Sequence, residues 1–275
     1  GITFALLNLL LRQTGTLQIA FNTTLQKPAM ILFFTTVGLG ASLQLVKKGG
    51  IQVAIFWGLA TLVAVCQDFI SVGIAKILDI NPLLALLSGS ISMIGGHGTG
   101  AAFGSLFAEQ YGVNGALTAS MAAATFGLVI GGIIGGPIGK KLIEKHSLKP
   151  NPDQYSGTIS KKEYEFNYEE LFRTLMIILV AMALGSILET FFTSVGITLP
   201  SYIGAMLIAA AMLNIGELTG GWTINSRCTD VLGTIGLNIF LSIALMSLRL
   251  WELADIAGPM FVILVAQALF MGGMA

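Results

Sequence analysis

Charge is scarce in this sequence. Asp, Glu, Lys and Arg make up 10% of its 275 residues, where soluble domains carry about 25%. So few cannot cover a globule with a polar surface, which excludes an ordinary soluble domain. The 14 basic and 14 acidic residues cancel, so no bias points to nucleic acid or to acidic partners. Histidine is limited to His97 and His146, and cysteine to Cys66 and Cys228. Neither pair has metal-ligand spacing, so no zinc site is expected and both cysteines read as small core residues.

What is present is apolar: 55% of residues are hydrophobic and the mean hydropathy is +0.84. Lipid can face such side chains directly. The 34 glycines suit helices that approach closely in a bilayer. Apolar runs cover 2–11, 28–46, 51–78, 82–108, 115–138, 171–195, 199–213, 231–250 and 254–275. A span needs about 20 residues, so the first of these and 199–213 are short. The expectation is an all-α integral membrane protein. Gly1 and Ala275 each lie inside an apolar run, so truncation at both ends is expected and no signal peptide can be assigned.

Residues 140–172 are charged and proline-bearing and read as a linker loop. They separate a first repeat, 1–139, from a second, incomplete one, 173–275. Lysine and arginine set orientation. The loop holds Lys140, Lys141, Lys145, Lys149, Lys161 and Lys162, with Arg173 just after it, and so is expected in the cytoplasm. Alternation then puts Lys47, Lys48 and Arg227 on the same side, and Arg12, Lys27, Lys76 and Arg249 on the other. This sorting works only if 82–108 enters and leaves on one side, as a re-entrant hairpin. Residues 33–45 and 240–250 also echo each other while running in opposite directions, which suggests inverted repeats.

The chemistry concentrates in SGSISMIGGHGTGAAF, residues 88–103. Each interior glycine costs a helix about 1 kcal/mol, so Gly89, Gly95, Gly96, Gly98 and Gly100 should break one. Broken backbone at membrane depth survives where it lines a cavity or is buried in protein. Its carbonyls can hold sodium, and its N–H groups and helix N-termini can hold a carboxylate. That combination fits a small anion taken with a cation. A phosphate loop is excluded, because no Lys-Ser or Lys-Thr follows GHGTG. No Ser-His-acid arrangement is evident, so no enzyme is expected.

The run GLVIGGIIGGPIG, 127–139, should serve close helix packing against the hairpin, and Thr125 just before it can face the site. Gln67 and Asp68 interrupt the run 51–78 and serve either an ion site or helix packing. Glu189 should reach an interface. Asn214, Asn225 and Asn238 should join helices by hydrogen bonds.

The block GSISMIGGHGTGAAFGSLFAEQYG resembles the signature of the bacterial glutamate:sodium symporter family. FNTTLQKPAMILFFTTVGLGASL, ATFGLVIGGIIGGPIG and FLSIALMSLRLWEL are similar to its supporting stretches. The resemblance runs along nearly the whole chain. It implies a multi-helix secondary transporter with inverted repeats, sodium-driven symport of L-glutamate across the bacterial inner membrane, and a homodimer. It implies a binding role for Ser90, Ser92, Gly95, Gly96, His97, Gly98 and Thr99. The family's first helix and second hairpin have no counterpart in these residues. Carriage of another carboxylate such as citrate or malate, or a passive channel, are the alternatives; no cationic group in the hairpin favours a di- or tricarboxylate.

Overall fold

A computed structural model describes residues 2–15, 17, 19, 21–147, 167–197, 199–253 and 256–274. Among them all regular structure is helical: α1 (Ile2–Gln13), α2 (Gln26–Gly38), α3 (Leu43–Leu78), α4 (Pro82–Leu87), α5 (Ser90–Met93), α6 (Gly96–Tyr111), α7 (Ala116–Lys145), α8 (Tyr168–Ser194), α9 (Tyr202–Thr219), α10 (Ser226–Met246), a 3-10 turn (Leu250–Leu253) and α11 (Ala257–Met274). Of these, α3 and α7 to α11 are long and apolar enough to cross a membrane. Spanning segments must be helical here, because lipid offers backbone groups no hydrogen bonds.

The helices pack as two bodies. One holds α1, α2, α8, α9 and α10, and the other α3 to α7 with α11. Each body therefore mixes early and late parts of the chain. Within the first, α2 and α10 run antiparallel: a side chain at Gly233 would strike Thr36, and one at Gly236 would lie 3.1 Å from the Ala29 carbonyl. The bodies meet where Ala101 and Ala102 of α6 and Met121 of α7 pack on Met30 and Phe34 of α2 and on Phe240 and Ala244 of α10. Small side chains make the α6 part of this contact shallow. Residues 51–62 of α3 are exposed almost all round, as suits a face towards lipid.

Two ends of the bundle can be told apart. At one end Leu84, Phe107, Val113, Ala116 and Met260 share an apolar cluster. Lys27 and Arg249 line a cavity there with Val113 and Ala116, and the Arg12 guanidinium lies 4.0 Å from the Trp251 ring centroid. At the other end Ser42 donates to Glu217 Oε2 at 2.7 Å, and Asn225 donates to the Glu170 carboxylate. Lys47, Lys48, Arg173 and Arg227 lie in sequence beside these groups.

The structure departs from the expected spans in three places. Residues 28–46 are not one helix. α2 stops at Gly38, whose missing side chain lets it close on the Met206 backbone of α9. A new helix starts at Ser42, whose side chain accepts from Leu45 N. It kinks again at Gly50 (φ 61°, ψ −150°), a conformation open to glycine. Second, the glycines of 127–139 do not all pack on the hairpin. Gly127 would meet Met93 at 3.1 Å, while Gly131, Gly132, Gly135, Gly136 and Gly139 face nothing within 4 Å. α7 has 30 residues, about 45 Å of helix, and its second half runs past the hairpin. Third, Lys140, Lys141 and Lys145 continue α7. The middle of the expected linker, 148–166 with Lys149, Lys161 and Lys162, lies outside the described residues.

Candidate functional site

Between Pro82 and Tyr111 the chain is helical but broken twice. α4 starts well: Asn81 accepts from Leu83 N and Pro82 sits in the first turn, where its missing N–H costs nothing. It ends after six residues, because Gly89 turns to φ −97°, ψ −141°. A side chain at Gly89 would lie 2.8 Å from Ser71 Oγ and 2.9 Å from Asp68 Oδ1. A side chain there would have to displace the Ser71 hydroxyl and the Asp68 carboxylate.

At the first break Asp68 of α3 takes both polar groups of Ser90. Ser90 N donates to Oδ1 at 3.1 Å and Ser90 Oγ donates to Oδ2 at 3.0 Å. One turn along α3, Ser71 is fully buried, and Gln267 of α11 donates from Nε2 to Ser71 Oγ at 2.7 Å and to the Gln67 carbonyl at 2.6 Å. Gln67 and Gln267 are 1% and 0% exposed, and the side-chain oxygen of each has no hydrogen-bond partner.

The second break lies at Ile94 and Gly95, before α6. Gly96 takes φ +71°. Thr99 Oγ1 donates back to the Ile91 carbonyl at 2.8 Å, and a side chain at Gly95 would strike Thr99. The first turn of α6 thereby folds onto α5. No side chain caps α6, so its first N–H groups, at Gly96, His97 and Gly98, lack helical partners and form the positive end of the helix dipole.

His97 Nε2 lies 3.1 Å from Thr125 Oγ1 on α7. Thr125 gives its single proton to the Met121 carbonyl at 2.9 Å. With that proton on the carbonyl, the Thr125 oxygen is free to accept from a His97 tautomer protonated at Nε2. A side chain on Gly98 would lie 3.3 Å from Phe33 and 3.5 Å from Phe34, so the first turn of α6 touches the other body. Ser92 is fully buried, with an unpartnered hydroxyl, under Gly100, whose side chain would lie 3.0 Å from it.

The expected residues thus fall into two sets. Asp68 and Ser90 meet at the first break, and Gln67, next to Asp68 on α3, meets Gln267 of α11. Gly95, Gly96, His97, Gly98, Thr99 and Thr125 meet at the second, and Ser92 faces α6. Sequence reading missed Gln267 and Ser71. Gln267 is the only polar side chain in α11, and Ser71 lies four residues after Gln67, on the same helix face.

A cavity of about 480 Å³ opens between the bodies, lined among others by Lys27, Glu109, Gln110, Asn114, Glu189 and Arg249. Glu189, near the end of α8, is among these lining residues. Residues 90–99 do not line it, but Ala102 does. Ala102 is four residues above Gly98, about 6 Å along the helix axis.

Residues 1–275 match the family model described as Sodium/glutamate symporter. The proteins named sodium/glutamate symporter in Escherichia coli (strain K12) and Shigella flexneri are each 37% identical over 282 residues, which cover 98% of this chain and 69% of theirs. That of Haemophilus influenzae is 34% identical over 262 residues, covering 93% of this chain and 65% of its own. No solved structure matches the chain.

Proposed function

The chain belongs to the sodium/glutamate symporter family, and from that premise we propose that it moves L-glutamate with sodium across the bacterial cytoplasmic membrane and binds both at the hairpin. The observation that carries the site is the doubly broken backbone between α4 and α6, buried in one body and touching the other at Gly98. Its second break offers uncapped N–H groups to a carboxylate. The His97 ring adds a polar group in the same turn. Ser90, Ser92, Gly95, Gly96, Gly98 and Thr99 supply a backbone that a ligand can approach.

The re-entrant reading draws support from Leu84 and Phe107, which share one cluster near the two ends of the segment. The inverted-repeat reading, with repeats 1–139 and 173–275 around the linker 140–172, draws support from the antiparallel contact of α2 and α10. Those two helices carry the first parts, 33–38 and 240–246, of the echoing segments. The cavity between the bodies would lead an amino acid towards the first turn of α6. A homodimer, with the exposed flank of α3 available to a second copy, completes the proposal.

The test is uptake of labelled glutamate by the full-length protein in proteoliposomes, with sodium or potassium outside. Accumulation in sodium only, against the glutamate gradient, is the expected result. Equal flux in both salts would point to a channel and sink the symport reading.

A further inference from the structure

Two buried side-chain oxygens at the contact of α3 and α11 have no partner, and the half-buried Asp68 carboxylate, next to Gln67 in sequence, has no cationic one among the described residues. The side-chain oxygens of Gln67 and Gln267 have no hydrogen bond. Asp68 receives only the N–H and O–H of Ser90, and among the described residues no cationic side chain pairs with it. A buried polar atom without a partner is costly, and in a native fold each one calls for an explanation. The amide of Gln267 cannot be turned to relieve the cost. Its Nε2 faces the Gln67 carbonyl at 2.6 Å, and a carbonyl can only accept, so Oε1 is held on the opposite side. The pattern is a surplus of acceptors with nothing to donate to them, next to a carboxylate and to the C-terminal, negative end of α4.

On the symport reading above, we propose that sodium binds at the contact of α3 and α11 beside the first break, on the side-chain oxygens of Gln67, Gln267 and Asp68. Hard oxygen atoms are what such a cation takes. The site is separate from the second break, where N–H groups suit the anion, so the two breaks divide the two cargoes between them. Gly89 couples them: it lies against Asp68 and Ser71 and begins the strand of backbone that continues into α5. Sodium would draw Asp68, and with it Ser90, into one position. Ordering α5 in this way would set the Gly95–Gly98 turn for glutamate.

The experiment measures glutamate uptake against sodium concentration for wild type, Gln67→Leu and Gln67→Glu in proteoliposomes, with thermal unfolding of each protein in detergent. In Gln67→Leu the sodium concentration for half-maximal uptake should rise at least about tenfold. The KM for glutamate in saturating sodium should stay within about twofold of wild type, and Gln67→Glu, which adds charge to the oxygen, should remain sodium-activated with its half-saturation shifted about threefold or more. A packing role alone predicts the reverse: an apolar isostere at a buried unpaired amide leaves stability equal or higher and the sodium response unmoved. That outcome overturns the site. If Gln67→Leu fails to fold, Gln67→Glu decides, because it keeps an oxygen and adds charge. A sodium half-saturation shifted about threefold or more supports the site, and an unshifted one overturns it. Wild-type uptake that ignores sodium overturns the symport reading, and the site with it.

Discussion

A Cβ placed on Gly98 would lie 3.3 Å from a ring carbon of Phe33 and 3.5 Å from one of Phe34. An alanine there needs a shift of a few tenths of an ångström, which a ring at the shallow contact between bodies can give. A leucine needs much more. Gly98→Ala should keep most uptake, and Gly98→Leu should lower it at least about tenfold by displacing the first turn of α6. Transport assays on both variants at equal expression check this, and full activity of the leucine variant would remove Gly98 from the site. Thr125 makes a subtler case. Its hydroxyl lies 3.1 Å from His97 Nε2 and holds the ring by a hydrogen bond, so Thr125→Val frees the ring at little cost in volume. One hydrogen bond is worth about 0.5–1.5 kcal/mol, so kcat/KM for glutamate should fall about threefold to tenfold. Thr125→Ser should retain it. A valine variant with wild-type kcat/KM would reduce the His97 contact to packing.

At the scale of elements, the break after α2 is held from outside. Asn214 of α9 donates to the Ala41 carbonyl at 2.9 Å and accepts from Leu43 N at 2.8 Å, satisfying backbone groups that the stop at Gly38 leaves open. Asn214→Ala should destabilise the protein by about 1–3 kcal/mol, read as a lower unfolding temperature in detergent. Asn238 sits exposed on α10, and its alanine variant should stay within about 0.5 kcal/mol of wild type. Equal effects at the two positions would deny the pinning role. The expectation that Asn214 and Asn225 join helices holds; for exposed Asn238 no such bond forms among the described residues. The same elements show what can be read from sequence. Apolar length located α3 and α7 to α11, because a bilayer imposes it. Glycine density located the two breaks between α4 and α6, because glycine weakens helices locally. The stop at Gly38 was hidden, since its cause lies on α9, far away in sequence. Gln267 was hidden for the same reason: its partners are Gln67 and Ser71, some 200 positions earlier.

At the scale of the whole molecule, the sorting of cations bears on topology. Arg12, Lys27 and Arg249 gather at the cavity end. Lys76 belongs there too, because Ala75 packs with Ala85 and Ile263, next to Leu84 and Met260 of the cluster at that end. Lys47, Lys48, Arg173 and Arg227 lie at the opposite end with the last turn of α7. By the positive-inside bias the cavity would face outside the cell. The same bias requires that Lys76 and Tyr111, which flank the hairpin, lie on one side. In a background with Cys66 and Cys228 replaced by serine or alanine, single cysteines at 76 and 111 should react with a membrane-impermeant maleimide in intact cells. Cysteines at 48 and 141 should react only after permeabilisation. Labelling of 76 and 111 from opposite sides would make residues 82–108 a full span. The break at Gly89 would then cross the bilayer instead of returning from its middle. The division of sodium and glutamate between two breaks at one depth would lose its geometric basis.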